Sequence, residues 1–367
     1  MNQQRLIKLQ QQLSQQHLDG VILMPGPNSY YLSGMHTHVS ERPILLFIPQ
    51  SGDPAIIIPG LEAMKAEEAG IPAERIFAWT DEEWFAGAFA KAAQALHLDG
   101  THWGVEALYM RVLELEALKA VAPTMQTSHA EPALMALRSV KDADELAAMS
   151  KAIAVAERAI ERLIPQIKIG MTEKQVAAQL TAILLAEGGE SIAFGPIVSS
   201  GPNGASPHAM PGERPLTHGD LLVVDWGVFV DGYPSDITRT FAVGEIDDEL
   251  KQIYNIVRQA NEAGKQAAKP GATGQDVDRA ARKVIVDAGY GDYFFHRTGH
   301  GLGLEVHELP GMVEGNMQPL AEGNVFTVEP GIYIAGRGGV RIEDDVVVTA
   351  AGCRSLTSFT RDLITIE

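Results

Sequence analysis

Along the second half of the chain, two pairs of apolar, β-branched runs are each folded about a turn signal. Residues 221–230 and 233–243 flank Asp231-Gly232, a dipeptide suited to the left-handed conformations of a tight hairpin. Pairing through that turn sets Val230 against Tyr233, and therefore Asp225 against Thr238 and Asp236 against Gly227. Side chains alternate faces with period two, so both aspartates emerge on one face as a diagonal pair. Residues 325–334 and 340–349 flank the glycine-rich 335–339, and a turn centred near Gly336 sets Glu329 against Glu343. Pro330 has no amide hydrogen to donate, which predicts a bulge or an edge in that strand.

Ahead of each hairpin the apolar spacing turns helical, and the two helical stretches open alike. Lys168, Gly170, Thr172 and Val176 recur as Lys269, Gly271, Thr273 and Val277 at one constant offset, and Gly188 recurs as Gly289 at the same offset. The threonine after each glycine is suited to N-capping. Two αββ halves facing across a pseudo-two-fold axis would bring one carboxylate pair from each half to a shared cavity. Earlier residues read differently. Short β-rich runs (20–24, 43–49, 54–59) alternate with helical spacing (61–69, 83–96, 110–120) in an α/β pattern. The opening MNQQRLIKLQQQLSQQ is a polar amphipathic helix, and EPALMALRSVKDADELAAMSKAIAVAERAIERLI reads as helical throughout. A polar stretch at 123–130 separates the two patterns and places the domain boundary near residue 130.

Composition narrows the setting. A chain of 367 residues suits two domains with a sizeable core. The formal net charge of −18 argues against nucleic acid or an anionic membrane as partner, because both are recognised through clustered Lys and Arg. Cys353 is the single cysteine; it excludes an intramolecular disulfide and is read as structural. The opening helix lacks the apolar centre of a secretory signal, and no run is long and apolar enough to span a bilayer. The cytoplasm is the expected location.

Five residues carry the candidate chemistry: Asp225 in LLVVDWG, Asp236 in YPSDITRTF, His300 in GHGLGLEVHELP, Glu329 in FTVEPGIY and Glu343 in GVRIEDD. Four of the five lie in strand-like apolar runs, where an unpartnered carboxylate is costly. Like charges at that spacing repel unless a cation lies between them. Any one of these acids alone reads more simply as a turn or solvated residue, and Asp231, Asp247, Asp344 and Asp345 are read so. All five together, on two matching hairpins, point to a metal site. Four carboxylates and one imidazole make a hard, oxygen-rich donor set, suited to Mn²⁺, Co²⁺ or Fe²⁺ rather than to a cysteine-based structural zinc site. The segment GHGLGLEVHE lacks the lysine of a phosphate loop, and its glycines suit close backbone approach.

These motifs resemble those of the pita-bread metallopeptidases: aminopeptidase P, prolidase, methionine aminopeptidase and their relative creatinase. The resemblance covers residues 140–367 closely and the N-terminal part more loosely. It implies an α+β pita-bread catalytic domain of two αββ halves over 131–367, preceded by a smaller creatinase-like α/β domain over 1–130. It also implies two divalent metal ions, Mn²⁺ foremost, with Co²⁺, Fe²⁺ or Zn²⁺ as alternatives. On that reading Asp236 and Glu343 bridge the ions, Asp225 completes one shell, and His300 and Glu329 complete the other. By the same resemblance Glu329 shuttles the proton, while His208 and His307 contact the scissile carbonyl and the substrate side. Arg341 shares a strand face with Glu343 and is expected to offset the carboxylates' charge, to bind a substrate carbonyl, or to serve only as a buried ion-pair partner. Thr238 is expected to support Asp236. His36, His38, His97, His102, His129, His218 and His296 lack such surroundings and are read as structural.

The implied substrates are small peptides with proline in the second position, and the implied assembly is a homodimer. Methionine aminopeptidases lack an N-terminal domain of this size, and creatinase lacks the metal ligands, so the chain resembles the proline-directed branch. Some prolidases carry arginine directly after the HExP proline, where this chain has Gly311. The expectation therefore leans to an Xaa-Pro aminopeptidase, with an Xaa-Pro dipeptidase as the alternative. Arg337, Arg297 and Arg42 are the candidates to replace the missing arginine, and residues around Tyr333 and Ile334 could line the proline pocket. Two rival readings predict other observations. A non-catalytic peptide-binding pita-bread module would hold no stoichiometric metal, and a creatinase-like amidinohydrolase would hydrolyse creatine without metal.

Overall fold

A computed structural model describes residues 1–367, and the chain divides into two units, Met1–Arg138 and Ser139–Glu367. In the first unit, α1 (Gln3–Gln15) is capped by the Asn2 side chain and buries Leu6, Leu9 and Leu13 along one stripe. Six strands follow in chain order: β1 (Gly20–Leu23), β2 (Leu45–Pro49), β3 (Ala55–Pro59), β4 (Ile76–Trp79), β5 (His102–Val105) and β6 (Gln126–His129). They form one mixed sheet in the order β4-β3-β2-β1-β5-β6. The central pairs β1–β2 and β2–β3 are antiparallel, and the outer pairs are parallel. Between the strands run α2 (Pro27–Ser33), α3 (Ala63–Glu68), α4 (Ala86–Ala95) and α5 (Val112–Val121). The central strands are apolar without alternation and buried along their length, as strands covered on both faces must be. Helix α6 (Glu131–Arg138) closes the unit, buries Ala133 and Leu134, and packs along α1. The division falls after Arg138, a few residues beyond the boundary expected near residue 130. The long helical reading is also interrupted: Asp142 caps α7 (Ala143–Leu163) in a capping box with Glu145, and the backbone just before it leaves the helix.

The second unit repeats itself as the spacing predicts. Its first half runs α7, α8 (Glu173–Ala186), then β7 (Ser191–Ile192), β8 (Ile197–Ser200), β9 (Leu221–Trp226), β10 (Val228–Val230), β11 (Tyr233–Pro234) and β12 (Ile237–Val243). The second half runs α9 (Asp248–Ala267), α10 (Gly274–Asp287), then β13 (Gly299–Gly301), β14 (Glu308–Met312), β15 (Val325–Val328), β16 (Gly331–Ile334), β17 (Gly338–Arg341), β18 (Asp344–Thr349), β19 (Gly352–Ser355) and β20 (Thr365–Ile366). Thr172 and Thr273 both cap their helices in capping boxes, and α8 and α10 are each 14 residues long. The two main sheets run β20-β12-β9-β8 and β14-β13-β15-β18-β19.

Both hairpins have the expected register. Asp231 and Gly232 take positive φ values of 51° and 76°, Val230 faces Tyr233, and Asp225 faces Thr238. Beyond the second turn Gly331 faces Arg341 and Val328 faces Asp344. The ladder breaks where the acids stand. Asp236 lies between β11 and β12, Glu329 and Pro330 between β15 and β16, and Glu343 between β17 and β18. Pro330 thus interrupts its strand as its missing N–H requires.

One charged group in the first unit is buried away from any candidate site. Glu106 is 2% exposed; its carboxylate accepts from Met24 N and from Asn28 Nδ2, each at 2.7 Å. Burial pushes the carboxyl up to about 7. The folded protein therefore holds a proton that the unfolded chain releases near its ordinary pKa. The group's contribution is fully present below that pKa and is lost as pH rises through about 7, on the order of 3 kcal/mol. Glu106→Gln should accordingly gain stability over the parent as pH rises from 4.5 to 8 in denaturant titrations. A flat or opposite difference would reject the protonated state.

Candidate metal centre

At the breaks that carry Asp236 and Glu343 a backbone amide finds its partner in the other half, whereas Glu329 N donates to Thr298 O of its own half at 2.8 Å. Asp236 N donates to Asp345 Oδ2 at 3.1 Å, and Glu343 N donates to Thr238 O at 3.1 Å. Thr240 Oγ1 accepts from Arg341 N at 3.1 Å and donates to Arg341 O at 2.9 Å. Asp236 and Glu343 are thus carried on irregular backbone held from both sides, which turns their side chains off the sheet faces and toward one another.

Asp236, His300 and Glu343 present ligating atoms that all lie within 4.8 Å of one another, and all three are buried. His300 Nε2 stands 3.6 Å from Asp236 Oδ2 and 3.5 Å from Glu329 Oε1. The ring is neutral, because burial and the neighbouring His307 pull its pKa down to about 3. Its Nδ1 lies 3.2 Å from the Gly301 carbonyl oxygen and donates there, so Nε2 turns a lone pair toward two carboxylates. Burial, followed by Glu343 and Asp225, pushes the Asp236 carboxyl well above the usual range. Burial, followed by Glu329 and Asp225, does the same to Glu343. Glu329 is pushed up to about 7, chiefly by burial.

Asp225 completes the group from the side. Its Oδ2 accepts from Arg341 Nη2 at 2.7 Å, while its Oδ1 is buried and has no protein partner. Arg341 Nη1 also donates to the Tyr333 hydroxyl at 3.0 Å, and that hydroxyl lies 2.9 Å from His296 Nε2. His296 Nδ1 donates to Arg297 O at 2.7 Å, so Nε2 is left to accept from Tyr333. Burial, above all, lowers His296 to about 4 and keeps it neutral.

Several expectations need correction. His296 belongs to the network behind the site rather than to the scaffold alone. Thr238 Oγ1 donates to Glu343 Oε2 at 2.6 Å, so it supports Glu343 and not Asp236. Asp344 and Asp345 are not solvated: both are buried. Asp344 lies between Arg239 Nη2 and Lys265 Nζ, each at 2.7 Å, and Asp345 holds the amide of Asp236. The apolar run 346–348 that follows them is the one local signal of burial, and the acidic pair by itself gives none. Thr327 was also missed; its hydroxyl bonds to Glu329 and accepts from His300 N at 3.2 Å. His307 reaches the cluster, its ring centroid 4.1 Å from that of His300. His208 is exposed on the loop after the short 3₁₀ turn Gly201–Ala205, close enough to act electrostatically on His296 and His307. Among the candidate arginines, Arg337 is engaged by Asp247 and Glu249, and Arg42 by Asp81 within the first unit. Arg297 lies near enough to influence His300, His307 and Glu329.

Residues 147–350 match the model of metallopeptidase family M24, and residues 5–140 match the creatinase/prolidase N-terminal domain. The chain belongs to metallopeptidase family M24. It is 40% identical to a putative dipeptidase of Bacillus subtilis over 92% of this chain and 93% of the relative. It is 35% identical to an Xaa-Pro dipeptidase of Pyrococcus horikoshii over 98% of this chain and 99% of that one. A crystal structure of prolidase from Thermococcus sibiricus superposes with a TM-score of 0.93 at 36% identity, covering 100% of this chain and 99% of that chain. The M24 fold here is the pita-bread arrangement with an N-terminal domain, as the motifs implied.

M24 membership implies divalent metal ions, and the residues fit them. A neutral imidazole lone pair faces carboxylates, a buried Asp225 oxygen has no protein donor, and several buried acids raise one another's pKa. A cation relieves all three conditions at once. The acids thus trade stability of the metal-free protein for affinity. Asp236→Asn removes one buried repulsive charge, so the metal-free variant should melt above the metal-free parent at pH 8. Its Mn²⁺ affinity should fall at least about tenfold, read by calorimetry. Undiminished affinity and stoichiometry would remove Asp236 from the site.

Proposed function

We propose that this chain is a divalent-metal-dependent Xaa-Pro dipeptidase. The convergence of Asp236, His300 and Glu343 on one buried point carries the hydrolytic part of this reading. The substrate part rests on relatives matched nearly end to end that are named dipeptidases. They turn the sequence-based lean toward an aminopeptidase around, and Xaa-Pro dipeptides become the better-supported substrates. Gly311 stands where some prolidases have arginine, and Arg297, electrostatically close to His307 and Glu329, supports a replacement cation for the dipeptide's carboxylate.

Asp225, Asp236, His300, Glu329 and Glu343 would hold two ions, Asp236 and Glu343 serving both. The oxygen-rich set favours Mn²⁺. Bound divalent ions supply Lewis acidity and lower the pKa of water. The protein's own groups do the rest. Glu329 takes the proton of the attacking water at its carboxylate and delivers it to the proline nitrogen as the bond breaks. His307 and His208 offer imidazole N–H groups to the carbonyl oxygen as it gains charge. Arg341, fixed by Tyr333, keeps Asp225 oriented and limits repulsion within the cluster. Proline's nitrogen carries no hydrogen in the peptide, so recognition falls on the ring and on the free carboxylate. A homodimer in the cytoplasm completes the reading; no helix is long and apolar enough to cross a membrane.

With Mn²⁺ supplied, Ala-Pro should be cleaved at least about tenfold faster than Ala-Pro-Ala, and a chelator should abolish both activities. Preference for the tripeptide would restore the aminopeptidase, and cleavage of neither would end the proline assignment. Arg297→Met should raise KM for Ala-Pro about tenfold or more, the worth of a charge-assisted hydrogen bond, with kcat less affected. An unchanged KM would exclude Arg297 as the carboxylate partner.

A further inference from the structure

A lysine with no part in the chemistry above lies buried beside the histidine-bearing loop. The side chains of Lys141 and Glu308 are each 1% exposed and meet Nζ to Oε1 at 2.9 Å. Two opposite charges removed from water hold together tightly, because separating them leaves each uncompensated. The pair joins segments remote in sequence. Lys141 precedes α7, in a stretch fastened by its own backbone: Lys141 N donates to Gly323 O at 2.9 Å, and Asn324 Nδ2 donates to Ser139 O at 2.8 Å. Gly323 and Asn324 lead directly into β15, beyond whose end stands Glu329. Glu308 opens β14 next to His307 and faces Gly301, the neighbour of His300. Gly303 makes room for it, since a Cβ there would fall 1.5 Å from Glu308 Oε1. His307 itself makes no hydrogen bond to the protein through its ring; its place depends on the backbone that carries it.

We propose that Lys141 is a positioning residue that sets the 302–307 loop through Glu308, and thereby the placement of the His307 ring against His300. Successive residues of an extended chain point to opposite sides. Anchoring Glu308 on one side therefore fixes the backbone from which His307 turns to the other. The inference rests on the role proposed for His307.

The test combines exchange and kinetics in the full-length, Mn²⁺-loaded protein. Lys141→Met should speed amide hydrogen exchange across 302–308 about tenfold, leave α8 unchanged, and keep the bound Mn²⁺ stoichiometry. On Ala-Pro, kcat should fall about tenfold or more, as misplacement of a reacting group predicts, with KM within about threefold. Lys141→Arg, which keeps the charge, should recover most of kcat. In a His307→Ala background Lys141→Met should cost nothing further. Glu308→Gln keeps the side chain's shape and should reproduce the exchange change in smaller measure, even where Lys141→Met does not fold. Unchanged exchange in the loop, or losses from His307→Ala and Lys141→Met that multiply, would overturn the proposal. Failure of the parent to cleave any Xaa-Pro dipeptide would instead sink the functional reading, and the exchange measurements would still decide whether Lys141 holds the loop.

Discussion

Mutual repulsion among buried acids is the constraint around which the second unit is built. Asp225, Asp236, Glu329 and Glu343 crowd a site whose His300 imidazole is neutral and turns its lone pair toward two of them. Nothing in an apolar core would gather such groups spontaneously, since each costs several kcal/mol to bury without compensation. They are gathered because the hairpins that carry them are stitched together. Asp236 is held through its amide by Asp345, Glu343 by the backbone of Thr238, and Arg341 by Thr240. The strands pack into closed cores on either side, so the apolar burial of the sheets offsets the cost of the acids.

The surrounding cations divide into two kinds. Arg239 and Lys265 bracket Asp344, and despite its burial they keep that carboxyl below the ordinary carboxylate range. Asp344 is therefore an ion-pair anchor behind the site, and Arg239 also binds the Glu343 carbonyl at 2.5 Å. Arg341 works on the cavity side, where it neutralises one oxygen of Asp225 and leaves the other open. One acidic run, Glu343-Asp344-Asp345, thus supplies a candidate ligand, a structural anchor and a support for Asp236. Alternation along the strand separates these duties, sending neighbouring side chains to opposite faces.

What was legible in the chain follows from local rules. Asp231-Gly232 dictated the first hairpin and its register, Pro330 the interruption of the second, and Thr172 and Thr273 the starts of two equal helices. The misreadings share one cause. Asp344, Asp345, Thr238 and His296 have surroundings made by residues far away in sequence, and polar identity alone does not tell whether a side chain meets water or a partner. The division after Arg138 has a similar origin: α6 belongs to the first unit because of the helix it packs against, not because of its own composition.

By itself, then, the sequence determined the two αββ repeats, the hairpin registers and the five candidate ligands, because turn geometry and strand periodicity act over a few residues. Only the tertiary structure decided which acids meet, which cation neutralises each, and how a distant lysine reaches the His307 loop. Those outcomes depend on the paths of separate elements through space and on the exclusion of water between them, and neither is written in the neighbours of any one residue.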